Sequence, residues 1–313
     1  MKLNNMPINF LYILIPISIL SCKKDSSTPD IKPTYSAITQ KIVDSSDVIV
    51  KVFSDTTFQV YDGITETDLN YYNRQGLTTT AFILHVDLKK SNLSLRAATA
   101  FNLPAVGALQ TVADMASYLD APYRRVMAGT NGDFFNTTTN IPLGIVYQNG
   151  VAVKDTFSNN SDKPQQGLSF LAVLKSGRLF IGDRETDFPV MKDSLWNALG
   201  GGVFLVRDHA IVPQLITTIT TRTGIGITDN NEIYFLVVDA DSFYNSNGID
   251  YADMSEIMKA FGVKDAINVD GGGSSTFVIK NPLANIWQVR DKPEDGAPRA
   301  IGTSWLVVAT DKP

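Results

Sequence analysis

The chain has 313 residues, of which 44% are hydrophobic and 19% charged, and a net charge of −5. That composition excludes collagen-like, coiled-coil and wholly disordered chains, and the length suffices for a substantial core. An acidic chain without a Lys/Arg run suits nucleic acid poorly. A single cysteine forbids an intrachain disulfide, and with two histidines it leaves few ligands for a zinc site of the common His/Cys kind.

Residues 8–21 (INFLYILIPISILS) are an apolar run preceded by Lys2. The run is shorter than the roughly 20 residues that span a bilayer and fits the core of a secretory signal over residues 1–21. It stops at Cys22, the chain's one cysteine, as in a bacterial lipoprotein signal, which makes Cys22 the expected lipidation site. The implied address is the cell envelope, with the protein held at the membrane through its lipid. Residues 22–40, polar and rich in Ser, Thr and Pro, read as a flexible tether.

Residues 41–80 hold one or two loosely alternating strands and read as an N-terminal extension, with the main domain over 81–313. FILHVDL (82–88) is a cleaner strand, expected to pair with 92–98. Apolar residues at Val106, Leu109, Val112, Ala113, Ala116 and Leu119 predict a helix over 106–120. A strand comes next at 125–130. Hairpins are expected at 143–153 around Asn149-Gly150, at 168–181 around Ser176-Gly177 and at 220–238 around Asp229-Asn230-Asn231. A second helix is expected over 251–261, capped by Asp250 and stopped by Gly262. Strands at 266–269, 276–280 and 304–309 complete the chain. Many hairpins, two helices and no repeated βαβ unit predict an α+β fold with mixed or antiparallel sheets.

Four stretches carry groups suited to chemistry. In Asn268-Val269-Asp270-Gly271-Gly272-Gly273-Ser274-Ser275-Thr276, a strand delivers Asn268 and Asp270 on one face. The three glycines next in the chain expose N–H groups able to form an anion-binding concavity. Asn131-Gly132-Asp133-Phe134-Phe135-Asn136 sets amides and a carboxylate beside two aromatics. Arg222, between Thr221 and Thr223 and two residues before Gly224, offers a guanidinium fork for two phosphate or carboxylate oxygens. Val237-Val238-Asp239-Ala240-Asp241 ends an apolar strand in two carboxylates, a pattern that also suits calcium. The simpler alternatives are a glycine turn, an aromatic-anchored turn, an edge-strand arginine and a capped strand end. His85 on its strand and Glu256 on its helix read, by themselves, as structural and solvated residues.

Taken together, the order and spacing of these pieces resemble the phosphodiester glycosidase family over about residues 82–310. The most specific stretch runs from Gly248-Ile249-Asp250 through Glu256 and Gly262 to Asp270-Gly271-Gly272-Gly273-Ser274-Ser275. Arg222-Thr223-Gly224-Ile225-Gly226, Asp239, the Asn131 motif, Pro298-Arg299 and His85 fall at suitable places. Asp133 and Ala240 stand where glycine is commoner. The resemblance implies hydrolysis of a sugar-1-phosphodiester at the glycosyl C1–O bond. Asp270 and Asp239 would then be the working carboxylates, with Glu256 supporting the loop. Arg222 and Gly271–Ser275 would hold the phosphate, with Arg299 as a second cation. Asn131, Asp133, Asn268 and His85 would bind or orient the substrate. No cofactor is required, and a calcium ion is an open alternative. The partners expected are a carbohydrate phosphodiester or glycan and the membrane. The competing reading is a surface lipoprotein that binds carbohydrate or a cation without turnover, or an accessory protein of exopolysaccharide metabolism.

Overall fold

In the computed structural model, which describes residues 34–241 and 246–310, eighteen strands form three sheets whose pairings are all antiparallel. The largest sheet opens with β1 (Ile49–Tyr61), β2 (Ile64–Asn73) and β3 (Thr78–Asp87). It continues through β14 (Glu232–Asp239), β13 (Arg222–Ile227), β15 (Asp265–Asn268), β11 (Phe204–Arg207) and β12 (Ala210–Ile211). A second sheet runs β7 (Val151–Lys154), β6 (Val146–Gln148), β10 (Leu195–Gly201), β8 (Ser169–Leu174) and β9 (Leu179–Asp183). The third runs β17 (Trp287–Val289), β16 (Phe277–Lys280), β5 (Arg125–Asn131), β18 (Thr303–Ala309) and β4 (Leu93–Thr99). With helices α1 (Ala37–Ser45), α2 (Val112–Leu119), α3 (Phe188–Met191) and α4 (Tyr251–Ala260), this is the α+β architecture expected from the hairpin-rich sequence.

The period of two along each strand divides the core. Leu84, Phe235, Ile225 and Ile267 of the large sheet meet Leu95, Trp305 and Phe277 of the third sheet and Leu171 and Leu199 of the second. Their neighbours Ile83, Tyr234 and Leu236 point the other way, onto Ile42 of α1 and Met254, Ile257 and Met258 of α4. Fully burying one such side chain contributes about 1.5–3 kcal/mol. α2 covers the outer face of the third sheet through Val112 and Met115 against Val278, Leu306 and Val308.

The three hairpins form at the expected turns. Helix α4 also begins and ends as expected. The Asp250 carboxylate accepts the Asp253 N–H at 2.9 Å, and Gly262 takes a φ of +80° beyond the last turn. Other elements differ. The 92–98 strand does not pair with 82–88. As β4 it flanks β18, whose seven residues are all buried and which takes partners on both edges, β4 and β5. The helix expected over 106–120 is confined to 112–119, because Gly107 takes a φ of +103° and Gln110 bridges to Ile301 before Thr111 caps it. Residues 37–45, partly within the expected tether, form α1, capped by the Ser36 hydroxyl and buried through Thr39 and Ile42. Residues 49–73, read as an extension, are two strands of the large sheet. The signal segment 1–21 and Cys22 lie outside the described residues.

Candidate active site

The end of β15, the glycine turn after it and the loop after β5 meet at one rim of the molecule. They line an open cleft of about 670 Å³. Asp270, Gly271, Gly272, Gly273, Ser274 and Arg299 form one wall, and Phe134 to Thr138 with Leu143 another. The third wall is the 159–166 loop, with Asn159, Asn160, Ser161, Asp162, Lys163 and Gln166. Sequence reasoning did not single out that loop. Its only signal is a polar, turn-prone run (SNNSDKPQQG, 158–167) between two hairpins.

Asp270 is held from behind. Its backbone N–H donates to the Gly132 carbonyl at 3.2 Å, and its carbonyl accepts the Asn131 side-chain amide at 2.7 Å. Its carboxylate accepts the Gly271 N–H at 2.9 Å and the Ser274 hydroxyl. Burial pushes the Asp270 carboxyl up to about 6, opposed by those two hydrogen bonds and by the charges of Arg299 and Lys163. The Asn131 side-chain oxygen, fully buried, accepts the Thr223 hydroxyl at 2.9 Å and the Thr276 N–H at 3.2 Å. Ser275, expected to hold the phosphate, is instead buried behind the turn, with its hydroxyl 3.0 Å from that of Thr223, and does not line the cleft. Asn268 donates to the Tyr251 hydroxyl at 2.9 Å and accepts the Val203 N–H at 2.8 Å. Both asparagines therefore commit their hydrogen bonds to the backing of the loop.

Asp133 lies beneath this layer, 2% exposed, with one carboxylate oxygen accepting the Gly144 N–H at 2.5 Å and the other without a partner. Burial, with the Asp270 charge adding to it, pushes its carboxyl up to about 8 against the pull of Lys154. A protonated Asp133 behind an ionised Asp270 results from those two environments.

The Arg299 fork rests on the glycine turn. Its Nε and Nη2 donate to Asp295 at 2.6 and 3.0 Å, and Nη1 donates to Ser274 Oγ at 3.3 Å. A methyl group on Gly273 would overlap that guanidinium, so glycine here is what lets the cation approach the loop. Lys163 is the other cation among the described lining residues.

Four more residues expected at the site lie elsewhere. Arg222 and Thr223 point to opposite faces of β13. Thr223 takes the loop side, while the Arg222 guanidinium lies 3.9 Å from the Tyr251 ring on the α4 side and donates to the Thr218 carbonyl at 2.8 Å. It braces the floor from behind and does not line the cleft. Glu256 pairs with Arg74 at 2.9 Å, in an ionic group with Asp253 and Asp47. Asp239, at the end of β14, is 1% exposed and accepts the Lys292 N–H at 3.0 Å. His85 sits five residues along β3 from Thr80, the partner of Asp239, or about 16 Å at strand rise. It stacks on Tyr234 at 4.6 Å beside a separate recess under α1. Among the described residues no group of three or more His, Cys, Asp or Glu is placed to hold a metal ion.

These buried acids set a pH dependence of stability. Burial raises Glu66, Asp133 and Asp239 each to about 8 and Asp291 to about 7. In the unfolded chain such groups ionise near 4. Between those values the native state binds more protons than the unfolded state, so stability falls as pH rises. Thermal melts are expected to give a higher Tm at pH 5 than at pH 8.5, and a Tm rising over that range would contradict the assignment.

With this geometry in place, comparison with known proteins locates the chain. Residues 124–308 match the phosphodiester glycosidase family. The chain is 26% identical over 171 residues to mouse N-acetylglucosamine-1-phosphodiester alpha-N-acetylglucosaminidase, covering 50% of this chain and 32% of that protein. It is 27% identical over 169 residues to the human protein of the same name, covering 50% and 32%. The chain thus spans about a third of the length of these curated relatives. The fold is similar to the zebrafish catalytic domain of that name, auto-inhibited by its pro-peptide, with TM-score 0.59 and 19% identity over 84% of this chain and 89% of that one. It is similar also to a hypothetical protein from Synechocystis, with TM-score 0.59 and 15% identity over 82% and 64%. The family match covers more than half of the sequence and contains Asp270, its glycine turn and Arg299: the chain belongs to the phosphodiester glycosidase family.

Proposed function

We propose that this protein hydrolyses a sugar-1-phosphodiester at the glycosyl C1–O bond, with an N-acetylglucosamine-1-phosphodiester as the first substrate to try. The observation that carries the reading is the cleft itself: a carboxyl held near 6 beside a glycine turn, with Arg299 and Lys163 among the lining residues. Family membership and the names of the curated relatives support it.

The phosphate of such a substrate is a good leaving group. The site must therefore hold its charge and stabilise positive charge at the anomeric carbon. In this reading the phosphate oxygens take the Gly273 N–H and Arg299, while the Gly271 N–H and the Ser274 hydroxyl hold Asp270 and the Gly272 N–H donates to the Thr221 carbonyl at 2.9 Å. Asp270, ionised at pH 7, faces the anomeric carbon. Asp133, kept neutral beneath it, adds no second charge to the pocket. The C1–O bond breaks and its electron pair leaves with the phosphate monoester; the oxygen of water ends on C1 with one proton, and the other proton goes to the monoester or to solvent. Asn136, Asn159 and Asn160 line the wall where sugar hydroxyls would bind.

At the N-terminus, Cys22 is proposed as the lipidated residue of an envelope protein. Growth with a radiolabelled or alkyne fatty acid would label the wild-type chain and not Cys22→Ser; equal labelling would dismiss the anchor.

The activity is tested by incubating the soluble chain from residue 23 with UDP-N-acetylglucosamine and following free N-acetylglucosamine. Steady release is expected. Saturable binding without release over long incubation would favour the binding-protein reading. Arg222→Ala is expected to cost about 1–2 kcal/mol of stability through the lost stack on Tyr251, with KM changed by less than about threefold. A loss of rate matching that of Asp270→Asn would put Arg222 on the substrate.

A further inference from the structure

The family match begins at residue 124, yet a cluster of acids around Arg290 ties residues 66 and 68 to the segment that carries Arg299. After β17 the chain runs as a strap, Arg290-Asp291-Lys292-Pro293-Glu294-Asp295-Gly296-Ala297-Pro298-Arg299. At its near end the Arg290 N–H donates to the Phe277 carbonyl at 2.8 Å, and Asp291 accepts the Phe277 N–H at 2.6 Å. The Lys292 N–H donates to the Asp239 carboxylate at 3.0 Å. The Arg290 side chain crosses to β2, where Nε donates to Glu66 at 2.8 Å and Nη2 donates to Asp68. Two prolines, and a turn closed by the Gly296 N–H on the Pro293 carbonyl at 2.9 Å, limit the freedom of the strap between its ends. At the far end Arg299 lies on Gly273 and Ser274.

This clamp is costly in free energy. Glu66 is fully buried, and Asp239 and Asp291 are 1% and 3% exposed. One carboxylate oxygen on each of Glu66, Asp68, Asp239 and Asp291 has no hydrogen-bond partner. Buried acids with orphaned oxygens are poor devices for stability alone. Here they all converge on the three residues where the strap leaves the third sheet.

We infer that Glu66 and Asp68 are positioning residues: by clamping Arg290 they fix the base of the 290–299 strap and so the place of Arg299 over the glycine turn. The strand pair outside the family match thereby becomes part of the machinery of the site. The inference rests on the reading above in that it takes Arg299 to hold the substrate's phosphate, and the experiment separates the two.

The test uses the full folded chain with Glu66→Gln/Asp68→Asn, Arg299→Ala and the triple variant. Hydrogen exchange is read over 271–276 and 290–299, with α2 and β5 as internal references. The double variant is expected to accelerate exchange in both site segments at least about fivefold and to leave α2 and β5 unchanged. KM for the sugar phosphodiester is expected to rise about tenfold, the scale of one charge-assisted hydrogen bond, with a smaller change in kcat. Arg299→Ala should give a similar rise, and the triple variant no more than Arg299→Ala, because the clamp acts through Arg299. Asp68→Asn alone, at a partly exposed site, replaces the double variant if that one does not fold. Unchanged exchange in the strap, or additive losses in the triple variant, would overturn the inference. If the wild type hydrolyses no sugar phosphodiester, the proposed function fails while the exchange result still decides whether the clamp orders the strap.

Discussion

Asp270→Asn is expected to lower kcat for a sugar-1-phosphodiester about a thousandfold, with Tm unchanged or raised. The asparagine oxygen can still accept the Gly271 N–H, and its backbone bonds to Gly132 and Asn131 are untouched, so the loop keeps its shape. What disappears is the charge. Burial disfavours that charge in the native state, which is why its removal does not cost stability. The same environment predicts the wild-type pH profile. With the Asp270 carboxyl near 6, kcat/KM should climb through pH 6 and level off near 7, and this limb should vanish in the variant. A variant with the parental rate would remove Asp270 from the chemistry. A limb centred near 4 would show that the carboxyl is solvated.

The second large effect concerns the fold beneath the site. Gly200→Ala is expected to destabilise the protein by about 3 kcal/mol or more, a loss of several degrees in Tm. A methyl there would lie 2.6 Å from the Gly144 Cα and 2.6 Å from an Asp133 carboxylate oxygen. The first of these is backbone and the second belongs to a carboxylate already bound to the Gly144 N–H, so neither can swing aside cheaply. Gly177→Ala is the contrasting control for space alone. Nothing lies within 4 Å of its added carbon, and its φ of +84° limits the cost to about 1 kcal/mol. Equal Tm values for Gly200→Ala and the parent would mean that β10 and the Asp133 turn are not packed as described.

What could be read from the residues was mostly local. Asn149-Gly150, Ser176-Gly177 and the Asp229 turn each announced a hairpin, because two-residue and short polar turns have few solutions. Asp250 and Gly262 marked the ends of α4 by cap chemistry. Motif spacing typical of the family set Asp270 and its glycines against Arg222, with Arg299 as a second cation; in the fold Asp270, its glycines, Ser274 and Arg299 line one cleft and Arg222 lies behind it. Side-chain direction was harder to foresee. Arg222 and Thr223 are neighbours on one strand, and a shift of one residue decides which of them meets the loop. The Asp239 carboxylate sits at a strand end, the usual place for a reactive group. Its side chain turns instead to the Lys292 backbone, a contact 53 residues away that no local pattern encodes. No local strand pattern marks β10, which ends in Gly200-Gly201 and runs into Gly202. In the fold those glycines permit the close approach of β10 to Gly144, Ile267 and Asn268. The placement of β4 beside β18 is likewise a long-range pairing, set by the need of a fully buried strand for two neighbours.

In the proposed reaction the oxygen of water ends on the anomeric carbon and the phosphate leaves. Hydrolysis of a sugar-1-phosphodiester in water enriched with oxygen-18 decides it, with Asp270→Asn run in parallel. The label is expected on the C1 hydroxyl of the released sugar, with none in the phosphate monoester and almost no product from the variant. Label in the phosphate would mean that the P–O bond is the one cut, and the site described here would be doing different chemistry.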